Sequence, residues 1–162
     1  MTDLDVAAAL RSDAQLVVIE APAGCGKTYQ AADYARWLGE QLPIRRALIL
    51  THTHGACDVF RARAPADARR LQVCTFDGFI TQIAAIYHQS LGLPQDVARW
   101  AIEQPLEGFA TLGERVSQLL ACSPAIRSAL VSRYPVIVCD EHQDTNAAQH
   151  HIALQLLDAG AK

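Results

Sequence analysis

An α/β fold built on a mainly parallel sheet is predicted by two features of this sequence. Short aliphatic runs alternate with longer stretches of helical periodicity, and a glycine-rich loop stands directly between one such run and one such helix. Four runs read as buried strands: Leu16–Glu20, Ala47–Thr51, Leu71–Thr75 and Val136–Cys139. Each is aliphatic or β-branched, as strands covered on both faces are, and each is followed by polar or glycine-containing sequence. From Lys27 to Gln41 apolar residues recur at Ala31, Tyr34, Ala35 and Leu38, close to the spacing of one helix face, and Pro43 ends the pattern. Thr145 or Asn146 caps a last helix that reaches about Asp158, where Gly160 supplies the stop. Between Phe76 and Tyr134 the pattern changes to helical segments separated by LGLPQD, EQPLEG and CSP, with no strand among them. The expected organisation is a sheet-bearing domain formed by residues 1–78 and 134–162, interrupted by a compact helical insertion over residues 79–133.

Composition narrows the function classes. With 162 residues, 51% of them hydrophobic, the chain has material for one domain with a real core and not for two. A net charge of −3 and a pI of about 6.0 exclude the overall basic field of a typical nucleic-acid-binding module, so any contact with a polyanion has to be local. The five cysteines, Cys25, Cys57, Cys74, Cys122 and Cys139, are widely spaced, odd in number and without a CxxC pair. That pattern fits free thiols in a reducing cytoplasm and not a disulfide framework. The N-terminal MTDLDVAAALRSD lacks the basic start of a targeting signal, and no apolar run reaches the roughly 18 residues of a membrane span. A soluble, cytoplasmic protein is expected.

The strongest chemical signal is APAGCGKT, Ala21 to Thr28, which follows a predicted strand and opens a predicted helix. This is the context of a nucleotide-binding phosphate loop, with alanine in place of the first glycine. Successive backbone N–H groups of Ala21, Pro22, Ala23, Gly24, Cys25 and Gly26, proline excepted, have to wrap a phosphate while the helix N-terminus faces it; Gly24 and Gly26 permit the close approach and Cys25 acts as a spacer. Lys27 then lies against the β- and γ-phosphates, and the Thr28 hydroxyl is a ligand for Mg²⁺. Tyr29 offers a face on which a base can stack. The second signal is YPVIVCDEHQDTNAAQ, Tyr134 to Gln149, in which an apolar strand delivers two adjacent acids at its C-terminal end, the edge where open parallel sheets bind ligands. Asp140 is the expected Mg²⁺ partner opposite Thr28, and Glu141 the group that orients and deprotonates an attacking water.

Together these segments resemble the first motor domain of superfamily 1 DNA helicases related to UvrD and Rep. The acidic stretch is similar to that family's DExQD(T/S) element, with Asp140, Glu141, Gln143 and Asp144 matching, His142 in the variable place and Gln149 at the matching spacing downstream. The resemblance implies a RecA-like P-loop NTPase fold, ATP and Mg²⁺ as cofactors, and a parent enzyme that couples ATP hydrolysis to movement along DNA or its unwinding. It implies catalytic roles for Lys27, Glu141 and Gln143, the last as a sensor of the γ-phosphate, while Asp144 braces the site. ALILTHTHGACDVFRARA, Ala47 to Ala64, resembles the family's first element touching single-stranded DNA, and VCTFDGF, Val73 to Phe79, resembles its TFH segment. On that basis His52, Thr53, Arg61, Arg63, Thr75 and Phe76 are the expected DNA contacts, with Arg69 and Arg70 adding charge. The sequence departs from the pattern where His52 replaces an aromatic residue, His54 an asparagine, Asp77 a histidine and Tyr29 an arginine. The plainer reading of the histidines is ordinary polar contacts at a strand end, and that of the arginines a solvated helix face.

The family's adenine-reading glutamine has no counterpart before the loop, and Lys162 falls where its GDxxQ strand begins. The second RecA-like domain and its arginine finger lie outside this sequence, so the chain by itself is expected to bind ATP weakly, contact single-stranded or duplex DNA weakly and unwind nothing. An open slot is expected between Leu16–Glu20 and Val136–Cys139. Two other readings are a non-catalytic interaction or regulatory module derived from such a helicase, and a different P-loop NTPase.

Overall fold

Strand β1 (Ala47–Thr51) is fully buried at all five residues, and the other elements cover its two faces and two edges. The structure, a computed structural model, describes residues 3–22, 25–41, 46–63, 70–104 and 107–162. β1 pairs in parallel with β2 (Leu71–Thr75) on one side and with β3 (Val136–Cys139) on the other, giving the order β2-β1-β3. The register sets Leu48 opposite Gln72 and Ile137. Parallel neighbours need long crossovers, and both are helical. Helix α3 (His54–Arg63) links β1 to β2, and helices α4 (Phe76–Ile86), α5 (Val97–Glu103), α6 (Gly108–Cys122) and α7 (Pro124–Arg133) link β2 to β3.

Alternation along β1 decides what each face buries. Leu48 and Leu50 enter the largest core with Phe79 and Ile80 of α4, Leu112 and Val116 of α6, and Ile152 and Leu156 of α8 (Ala147–Asp158). Ile49 faces the other way, onto Ala32 and Ala35 of α2 (Lys27–Gln41) and Phe60 of α3, while Ala47 meets Tyr34 and Leu38 of α2. The result is a sheet between two helical layers, with α1 (Asp3–Leu10) beside α2 and tied to it by an Arg11–Asp33 ion pair of 3.1 Å.

Three of the four expected strands and the helix from Lys27 to Gln41 have the bounds read from the sequence; Pro43 lies outside the described residues. The last helix is capped by Asn146, and Gly160 ends it at φ +100°, a left-handed conformation that suits glycine. No strand occurs among the described residues between Phe76 and Tyr134.

The run Leu16–Glu20 is a correction. It is in no ladder, and Leu16 and Val18 are 61% and 69% exposed. A β-branched run becomes a strand only beside a partner, and the free edge of β3 is met by a different residue. The Lys162 N–H donates to the Pro135 carbonyl at 2.9 Å and its carbonyl accepts from the Ile137 N–H at 2.8 Å, the two bonds of a parallel bridge. The Lys162 ammonium donates to the carbonyls of Leu10 and Ser12, and Gln15 donates to the Leu157 carbonyl, so the segment before the run is anchored on the far side of Lys162. The two runs therefore do not pair, and with Leu16–Glu20 in no ladder and Lys162 on the edge of β3, an open slot between two strands is not what the structure shows.

Among the described residues no helix is long and apolar enough to cross a membrane. All five cysteines are free thiols. Burial pushes Cys74 up to about 11 and Cys139 up to about 12, and Cys57 is buried against the Thr51 hydroxyl at 3.1 Å. Only Cys25 and Cys122 are exposed. Maleimide labelling of the native protein near neutral pH should therefore modify these two, with the remaining three reacting only after denaturation; mass spectrometry of digests gives the count.

Where α6 begins, its backbone passes so close to α5 that a methyl group on Gly108 would lie 2.0 Å from the Ala101 carbonyl oxygen. Only a shift of one helix relieves that contact. Gly108→Ala should destabilise the fold by about 1–3 kcal/mol in denaturant unfolding, against the small gain alanine brings at an unhindered helix position.

Candidate nucleotide site at the sheet edge

The acidic end of β3 and the loop before α2 converge because β3 lies beside β1 and α2 packs on the β1 face that carries Ile49. Asp140 follows β3 directly, donates its backbone N–H to the Leu50 carbonyl at 2.9 Å and is 7% exposed. Its carboxyl is held above the usual carboxylate range, first by burial and then by the neighbouring Glu141 charge. A hydrogen bond from the Thr28 side chain and the Lys27 charge oppose that rise. Two residues of the loop thus act on the first acid of the strand end.

Each partner is positioned by local backbone chemistry. Gly26 has φ +76°, a conformation that costs an ordinary residue strain, and it turns the chain into α2. The Lys27 ammonium folds back and donates to the Ala21 carbonyl at 2.8 Å and the Pro22 carbonyl at 3.2 Å. Cys25 is exposed and its N–H points to the Pro22 carbonyl; Ala23 and Gly24, both expected to cradle phosphate, lie outside the described residues. Tyr29 is 61% exposed, with the Arg63 guanidinium 5.2 Å from its ring centroid. Glu141 has φ +52°, a left-handed conformation uncommon outside glycine, asparagine and aspartate, and it leads into a 3-10 turn over His142–Asp144. The Asp144 N–H closes that turn on the Glu141 carbonyl at 2.9 Å, and the Gln143 amide donates to the Glu141 carboxylate. The Asp144 side chain is exposed.

The residues expected to touch DNA divide into two groups. His52, just beyond β1, stacks on Phe76 with ring centroids 5.1 Å apart, and its Nε2 is buried without a hydrogen-bond partner. Thr53 is exposed and its hydroxyl caps α3 by accepting from the Ala56 N–H at 3.1 Å. Arg61 is exposed and donates to Asp58 and to the Val73 carbonyl, while Arg70 donates to the Gly39 carbonyl of α2. Arg69 lies outside the described residues. Thr75 caps α4, accepting from the Gly78 N–H at 3.0 Å. Phe76 corrects the expectation: at 1% exposure its ring belongs to the main core, because the first turn of α4 points it inward, and it has no face to offer a base.

Sequence reasoning missed two side-chain links. His142 Nε2 lies 2.9 Å from His150 Nδ1, and burial, then His150 and then His52, hold the His142 imidazole below its usual value, so it is neutral at pH 7. Gln149, 6% exposed, donates to the Asp77 carboxylate at 2.9 Å. The Asn-x-x-Gln spacing of Asn146 and Gln149 signals the capping box found at α8, but nothing in the sequence announces the contact with Asp77. No group of three or more histidine, cysteine or acidic side chains is disposed to hold a metal by itself among the described residues.

The raised carboxyl of Asp140 sets a sign for stability. A folded value above that of an ordinary aspartate means that the native state holds the proton more tightly, so stability falls as pH rises through that window and the cost is fully present above it. Asp140→Asn should raise the melting temperature of the ligand-free protein at pH 7, and the gain should shrink as pH is lowered towards about 4.

A search of the curated proteins returned no match. The family model of the UvrD/REP helicase N-terminal domain matches residues 98–162, from α5 through β3 and the acidic turn to the end of α8 and Lys162. The loop at Lys27 precedes that stretch. Over residues 98–162 the chain is therefore similar to the N-terminal domain of UvrD/REP helicases, and the adjacent acids at its sheet edge lie in the matched part.

Proposed function

We propose that this chain is the ATP-binding part of a UvrD-like superfamily 1 DNA helicase and takes ATP with Mg²⁺ between the loop of residues 21–29 and the end of β3. One observation carries the reading: the Thr28 side chain and the Lys27 charge both act on the Asp140 carboxyl and favour its ionised form, although they come from a segment more than a hundred positions away. A buried carboxylate, a second acid beside it and a hydroxyl bonded to the first form an all-oxygen donor set of the kind hard divalent cations prefer. A cation would also offset the burial and, after it, the Glu141 charge that raise Asp140.

Mg²⁺ bound there would supply neutralisation of phosphate charge. Thr28 and Asp140 are the residues that would hold it. Lys27 exchanges its bonds to the Ala21 and Pro22 carbonyls for phosphate oxygens, and Gly26 keeps a side chain out of the approach. Glu141 accepts the proton of the attacking water, and Gln143, bonded to that carboxylate, fixes its orientation and responds to the γ-phosphate. His52, Thr53, Arg61 and Thr75 line the neighbouring strand ends, where single-stranded DNA passes in this reading.

Titration with a fluorescent ATP analogue tests it. Binding should weaken when Mg²⁺ is chelated, and Lys27→Ala should weaken it by about tenfold or more, the loss expected when a charge-assisted phosphate contact is removed. Equal affinity of the variant and the parent would show that the loop is not the phosphate site.

A further inference from the structure

The helix that carries the acidic turn onward is fastened to the helix that follows β2. α8 begins only six residues after Glu141, and its cap uses the backbone N–H and the side-chain oxygen of one buried glutamine. The Gln149 N–H donates to Asn146 Oδ1 at 2.9 Å, and its Oε1 accepts from the Asn146 N–H at 3.1 Å. Its Nε2 donates to Asp77 Oδ1 at 2.9 Å. Glutamate at this position would satisfy the capping box equally well. It would also set a second carboxylate against Asp77. A glutamine is required only because the side chain has to bond in two directions at once.

The far end of this link is as firmly placed as the near end. Asp77 is the second residue of α4, immediately after Thr75 and Phe76, and its carbonyl accepts the Thr81 hydroxyl at 2.7 Å. Phe76 carries the stacked ring of His52, the residue that follows β1. On the other side, the Gln143–Glu141 bond, the Asp144–Glu141 backbone bond and the Thr145 hydroxyl, which donates to the His142 carbonyl at 2.8 Å, leave the stretch from Glu141 to Asn146 little freedom of its own. A continuous set of bonds thus leads from Glu141 and Gln143 to the α8 cap, and through Gln149 to Asp77, next to the Phe76 that stacks on His52.

From this geometry we infer that Asp77 and Gln149 are positioning residues that couple the nucleotide site to the single-strand surface. The inference rests on the reading under Proposed function. It assigns the pair no contact with either ligand. Coupling between two sites appears as a change in the affinity for one ligand when the other is bound, typically about fivefold or more.

The test is a thermodynamic cycle on the whole chain, with a fluorescent ATP analogue plus Mg²⁺ titrated in the absence and presence of a saturating single-stranded thymidine oligonucleotide. In the parent protein the oligonucleotide should change the analogue affinity by about fivefold or more. Gln149→Glu keeps the α8 cap, and should bring that factor to about one while leaving the affinity for the analogue alone within about twofold. Adding Asp77→Asn restores a donor to the pair and should restore the factor. A factor that survives Gln149→Glu overturns the inference, as does a factor of one in the parent with the analogue bound. Loss that Asp77→Asn does not restore marks a general packing defect and overturns it too. If the parent binds no analogue, the nucleotide reading itself falls, and the coupling with it.

Discussion

Every arrangement of side chains at the sheet edge depends on one constraint: β1 is buried on both faces and paired on both edges. A strand so placed cannot offer a polar side to solvent, and its sequence ALILT obliges helices to cover it from both directions. Parallel pairing then sends the C-terminal ends of β1, β2 and β3 to the same edge. Asp140, His52 and Thr75 are neighbours for this reason, although they are widely separated in sequence. The bond from the Asp140 N–H to the Leu50 carbonyl extends the ladder by one residue, so the first acid of the site is placed by the central strand itself.

The site is built at some cost to the fold. Asp140 is buried beside a second acid, Glu141 adopts a left-handed conformation, and two imidazole nitrogens, His52 Nε2 and His142 Nδ1, are buried without partners. Each of these features alone disfavours the folded state. Their concentration at one edge, while the rest of β1 and its helices is apolar and well packed, is the distribution expected where charge and strain serve binding.

How much of this was legible in the sequence varies from element to element for physical reasons. ALILT, LQVCT and VIVC are read correctly because a strand covered on both faces is an uninterrupted apolar run, and the helix at Lys27 because its loop marks the start. LVVIE has the same local character, yet a run of residues carries no information about whether a neighbour lies within hydrogen-bonding distance, and here β3 meets Lys162 instead. Phe76 was misread because an aromatic residue at a strand end fits both a base-stacking surface and a core. The direction of the first turn of α4 decides between them, and that direction depends on the sheet. The position of the acids at 140 and 141 was legible from the apolar strand that delivers them. The Asp77–Gln149 bond spans 72 positions and joins two helix caps, each of which is complete as a local motif without the other.

The fold-back of Lys27 changes what affinity at the loop would mean. Its ammonium already donates to the carbonyls of Ala21 and Pro22, so it is not a solvated cation waiting at the surface. An anion that recruits it first competes with two neutral acceptors fixed in the same loop, and the released carbonyls must find other donors or water. Binding there is an exchange of partners. Such a loop would favour a doubly or triply charged oxyanion over a singly charged one, because only an acceptor much stronger than a peptide carbonyl gains from the trade.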